Sequence, residues 1–148
     1  MHANTKASSL DHAMQVAHAW VNAVAEEFDT DDREFAYGVL RAWLHTLRDR
    51  LTVEAAAHFA AQLPEVIRGI FYAGWDPTAV PLKFSADAYV VRFAREATIA
   101  IPDVGRAAAA TTAAVLKFLP STQMDKALAQ LPEQIRHLLE PWPPSGSN

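Results

Sequence analysis

Six histidines and seventeen acidic side chains supply the raw material for metal or acid–base chemistry in this 148-residue chain. Two Glu–His pairs have chelating spacing: Glu54 with His58, and Glu133 with His137, each four residues apart and so neighbours on one helix face. A carboxylate-bridged metal site needs inward Glu-x-x-His motifs and further glutamates on facing helices, which the chain lacks. Both pairs are therefore expected to be surface pairs worth about 0.2–0.5 kcal/mol. No metal or other cofactor is expected.

Asp29, Asp31 and Asp32 crowd with Glu26 and Glu27, but a calcium loop needs a central glycine and a closing glutamate at set positions, and Arg33 falls where a ligand belongs. A solvated helix end accounts for the cluster. With no cysteine, thiolate metal sites, disulfides and cysteine nucleophiles are excluded together. The sequence has no glycine-rich phosphate loop, nucleophile elbow or His-Glu-x-x-His. It nominates no base or nucleophile, and the reading leans away from an enzyme.

Two groups of residues are candidates for binding. Arg41, His45 and Arg48 fall at i, i+4 and i+7, a basic stripe that would suit an anion or an acidic partner; the plainer reading is the wet side of an amphipathic helix, with Glu34 and Asp49 interleaved. Gln62, Arg68, Gln130 and Arg136, with Trp20 and Trp75, are candidates for a ligand pocket. In the plainer reading the glutamines and arginines tie up loose backbone groups and the tryptophans pack, Trp75 against a linker and Trp20 between two halves.

Composition sets the background. A net charge of −4 and a pI near 5.8 argue against a protein that holds nucleic acid by neutralising phosphates. No apolar run approaches a membrane span and the first residues lack a secretory pattern, so a cytoplasmic protein is expected.

Helical periodicity dominates the chain. Leu10, Ala13, Met14, Ala17, Val21, Val24, Ala25 and Phe28 share one face of a first helix, capped by Ser8 or Ser9. A second opens at Thr30-Asp31-Asp32, with Asp31 and Glu34 at capping-box spacing, and buries Phe35, Val39, Leu40, Trp43, Leu44, Leu47 and Leu51. A short helix over 53–62, capped by Thr52, is broken before Pro64, which opens another through Ala73 that ends at Gly74. Residues 75–84 hold two prolines and no periodicity, and read as a linker. Ser85 caps the next helix, Pro102 opens another, Ser121 or Thr122 caps a third, and Pro132 starts the last; the tail 141–148 is expected to fray. No stretch alternates with period two.

The segment Ala61-Gln62-Leu63-Pro64-Glu65 recurs as Ala129-Gln130-Leu131-Pro132-Glu133, 68 residues later, and Leu51, Ile67 and Arg68 match Leu119, Ile135 and Arg136 in the same frame. A one-residue adjustment sets Trp20, Val21 and Val24 against Tyr89, Val90 and Phe93. The fold predicted is all-α, with two tandem helical repeats packed as one bundle. The halves run from about 10–74 and 85–140 within a single domain.

The run from Phe35-Ala36-Tyr37 through Leu44-His45-Thr46-Leu47-Arg48-Asp49-Arg50-Leu51, the AQLP element with Arg68-Gly69, then Gly74-Trp75-Asp76-Pro77 and Pro81-Leu82-Lys83, resembles the bacterial domain-of-unknown-function family numbered 2267. The resemblance spans about Leu10 to Leu139 and implies an all-helical bacterial domain, with no reaction, cofactor or catalytic residue to carry over. The expected function is a non-catalytic scaffold or protein-interaction module, binding a protein partner or a second copy. The alternative is a small-molecule binder or enzyme with a pocket between the halves, lined by Trp20, Trp75, Gln62 and Arg68.

Overall fold

A computed structural model of the chain describes residues 2–141, with side chains from Ser8 onward. Among these residues are eight α-helices, one 3₁₀ turn and no strand, so the all-α class holds. The helices are α1 (His2–Glu27), α2 (Arg33–Arg50), α3 (Val53–Ala60), α4 (Glu65–Tyr72), α5 (Ala86–Ala97), α6 (Val104–Val115), α7 (Ser121–Leu128) and α8 (Glu133–Leu139), with the 3₁₀ turn over Ile101–Asp103. The tail from Trp142 lies outside the described residues.

Local chemistry sets most boundaries. Asp32 caps α2 by accepting from the Phe35 amide, one residue later than the predicted Asp31, and Thr52 and Ser85 cap α3 and α5 by accepting from the Ala55 and Ala88 amides. Pro64 and Pro132 each sit one residue before a helix rather than in its first turn. Pro120 takes that place before α7, so Ser121 begins the helix and does not cap it. Pro102 opens only the 3₁₀ turn, and α6 proper starts at Val104. Gly74 follows α4 with φ +81, the left-handed conformation expected of it. Helix α1 starts at His2, so Ser8 and Ser9 lie inside it.

Helix α2 is central and packs against α1, α4, α5 and α6. The neighbours come in matching sets: α1 packs on α2, α4 and α6, while α5 packs on α6, α8 and α2. Helix α2 meets α4 as α6 meets α8, α2 crosses α6, and α3 meets α7. Exchanging the first four helices for the last four leaves this pattern unchanged. Helices α1 and α5 also end alike, with Asp29 (φ 50) and Thr98 (φ 57) left-handed, and with the Thr30 and Ile99 amides donating back to the Ala25 and Ala94 carbonyls.

At the crossing, side-chain volumes are complementary. Leu40, Trp43 and Leu44 of α2 are fully buried, and the residues 68 later are the equally buried Ala108, Thr111 and Thr112 of α6. Small residues on α6 let the bulky face of α2 approach closely. The Trp43 indole N–H donates to Thr112 Oγ1 at 3.0 Å, so the one polar atom of that ring is satisfied inside the core.

Burial departs from prediction in α1. Leu10 and Met14 are exposed, and the buried face of α1 begins at Ala17. Phe118 lies past the end of α6 and is partly exposed, stacked on buried Trp20 with centroids 4.9 Å apart.

Candidate functional site

The AQLP element folds the same way at both of its occurrences. Ala61 and Ala129 close α3 and α7 with nearly the same backbone angles, φ −61, ψ −20 and φ −64, ψ −19. The Gln62 and Gln130 amides then donate to the Phe59 and Ala127 carbonyls, both at 3.1 Å, and Leu63 and Leu131 turn into the core. Proline follows because the chain must leave the helix there, and Pro64 and Pro132 hold extended angles of φ −66, ψ 160 and φ −56, ψ 149. With leucine turned inward, the glutamine side chains are left outside.

Both glutamines line one half-open cleft of about 500 Å³ between α3 and α7. Its lining residues form pairs that are each 68 apart: Ala55 with Gln123, His58 with Lys126, Phe59 with Ala127, Ala61 with Ala129, and Gln62 with Gln130. Phe59 and Ala127 are buried and make an apolar floor. His58 and Gln62 stand one turn apart on one rim, and Lys126 and Gln130 do the same on the other, all four exposed. A carboxamide both donates and accepts but does not ionise near neutrality, so this site is equipped to recognise amide groups. His58 lies 4.0 Å from Glu54 across one helical turn.

The other candidates fall elsewhere. Arg68 donates from Nε to the Ala60 carbonyl at 3.1 Å and from Nη2 to the Leu63 carbonyl at 2.7 Å, which ties α4 to the bend before it. Arg136 lies 3.7 Å from Glu140 on its own helix. Trp20 is buried between α1 and the segment after α6, and Trp75 is half-buried against Tyr72, its indole nitrogen without a hydrogen bond. Of the six ligand candidates, only Gln62 and Gln130 come together at the cleft. His58, Gln123 and Lys126 were not singled out for binding, although the frame that pairs the glutamines also pairs His58 with Lys126.

The basic stripe on α2 is not a wet face. Arg41 is exposed, but His45 and Arg48 are buried at 4% and 5% exposure. Arg48 Nη1 donates to the Phe71 and Ala73 carbonyls at 2.9 and 2.8 Å, and its Nε donates to Asp49 Oδ1. His45 Nε2 donates to the Ile70 carbonyl at 2.7 Å, while Nδ1 meets the Glu96 carboxylate of α5, which also lies 3.7 Å from Arg41. His45 and Arg48 thus donate to carbonyls at the C-terminal end of α4, where the last carbonyls of a helix lack a full set of partners within it. The partners outside α2 lie 23 or more residues away, so periodicity alone could not show that these side chains point inward.

Such an arrangement defines an all-α domain with a polar cleft at the contact of two short helices. The chain belongs to the family of uncharacterized conserved proteins called DUF2267, whose family model matches residues 17–138. No curated protein matches it. Among the described residues, no helix is long and apolar enough to cross a membrane.

Proposed function

We propose that this chain is a non-catalytic interaction module that docks a segment of a protein partner in the α3–α7 cleft. One observation carries the reading: the two glutamines of the recurring AQLP element, 68 residues apart in sequence, line the same cleft. The matched helix neighbours and matched bends support a construction from two copies of one four-helix unit, with the cleft on the approximate twofold axis between them. A half-open trough with an apolar floor and carboxamide rims suits a stretch of polypeptide, whose amide groups need both donors and acceptors. A bacterial cytoplasmic setting belongs to the same proposal, supported by the family resemblance and the cysteine-free composition. A volume of about 500 Å³ also falls in the range of small-ligand pockets, the second reading.

Photo-crosslinking in the native host tests the docking. A benzophenone side chain replacing Ala129 on the cleft rim should give a reproducible protein adduct that a Gln62→Ala/Gln130→Ala double variant loses while keeping its helical circular dichroism. The same side chain replacing exposed Val91 on α5 should not give that adduct. Identical adducts from both positions, unaffected by the double variant, would overturn the reading.

A further inference from the structure

We infer that the segment docked in the α3–α7 cleft carries a carboxylate, seated against Lys126; this rests on the docking reading above. The chain as a whole is acidic, with a net charge of −4, yet the ionisable side chains lining the cleft are His58 and Lys126 and include no carboxylate. The fixed charge on the lining is therefore the positive Lys126 ammonium, on a protein that is acidic as a whole, which favours an anionic group beside it over a neutral one.

The two rims differ in a way that locates the anion. His58 has Glu54 one turn before it, 4.0 Å from Nε2, so its rim already holds a negative charge. The residue 68 after Glu54 is Thr122, so Lys126 has no acid at the corresponding place. Among the described residues Lys126 forms no ion pair, and its ammonium is free for a ligand. Gln123, Lys126 and Gln130 stand at i, i+3 and i+7 and share one face of the α7 segment. An ammonium with a carboxamide on either side along that face can supply donors to both oxygens of a carboxylate, each amide presenting its NH₂ to the anion. Gln62 on the opposite rim and the Phe59–Ala127 floor are left for a neighbouring amide and an apolar side chain.

Three peptides test this by isothermal titration at low salt. The first is an N-acetylated, C-amidated heptapeptide of alanine and leucine with one central glutamate. The second has glutamine at that place, and the third has the glutamine and a free C-terminal carboxylate. The glutamate or the free-carboxylate peptide should bind about fivefold tighter than the neutral one, and which of the two does so identifies the source of the carboxylate. The preference should disappear in Lys126→Gln and in 0.5 M salt, and persist in Lys117→Gln, whose ammonium lies outside the cleft beside Glu26 and Glu27. Equal affinity for all three peptides would overturn the inference and leave the docking reading standing. No binding by any peptide, while the Ala129 adduct persists, would also overturn it; loss of the adduct as well would overturn both.

Discussion

Trp43 and Thr112 join α2 to α6 through a buried hydrogen bond of 3.0 Å between side chains 69 residues apart. Thr112 in turn donates to the Ala108 carbonyl, so one hydroxyl serves both helices. The bond sits where large side chains of α2 meet small ones of α6, and its loss should be felt by the whole domain. Trp43→Phe should cost about 2 kcal/mol, combining a lost hydrogen bond with a small cavity. Urea unfolding of Trp43→Phe, Thr112→Val and the double variant should give a coupling of about 1 kcal/mol. Strict additivity would show that the bond contributes nothing.

Arg48 holds the end of α4 by donating to two carbonyls, that of buried Phe71 and that of exposed Ala73 just past the helix. Arg48→Met should cost about 2 kcal/mol, because it leaves the buried Phe71 acceptor unpaired. Arg48→Lys should rescue less than half of this, since an ammonium cannot reproduce the guanidinium fork. Hydrogen exchange should quicken first in α4 and the turn through Gly74. Unchanged exchange there would place the stabilising effect of Arg48 elsewhere.

Tyr89 is fully buried and its hydroxyl has no hydrogen-bond partner, while the hydroxyl of neighbouring Thr46 donates to the Ala42 carbonyl at 2.7 Å. Burial pushes the phenol well above its usual value near 10.0, with Thr46 opposing this weakly. The folded state therefore keeps its proton while the unfolded chain loses it, so stability falls as pH rises beyond about 10. Tyr89→Phe should stay within about 1 kcal/mol of the parent at pH 7 and lose less stability between pH 9 and 11. Parallel losses in the two proteins over that window would contradict the assignment.

Gly74 has φ +81 and open space around a built Cβ, so strain alone decides the effect of a side chain there. Gly74→Ala should lower stability by about 1 kcal/mol in thermal unfolding. A neutral result would mean that the turn relaxes out of the left-handed region.

Local rules read most of the fold from sequence. Helix caps at Thr52 and Ser85, breaks at the prolines and the glycine stop at Gly74 all depend on neighbours within four residues. The frame of 68 sets Leu63 against Leu131 and Ile67 against Ile135, and all four are buried. His45 and Arg48 were misread because a helix face looks polar whether its charges meet water or the carbonyls of another helix. Leu10 and Met14 continue the apolar stripe of α1 yet are exposed, since periodicity gives a face and not how far along the helix that face is covered. At the cleft, Gln62 and Gln130 came from the recurrence, whereas Lys126 needs knowledge of which helix faces α3.

The proposed docking requires the two glutamines to act at one site. Their side-chain NH₂ signals, assigned with Gln62→Ala and Gln130→Ala, can be followed by nuclear magnetic resonance as the glutamate heptapeptide is added. Both sets of signals should move and saturate along a single binding curve. Movement of one set only, or of neither while other surfaces respond, would contradict a shared cleft.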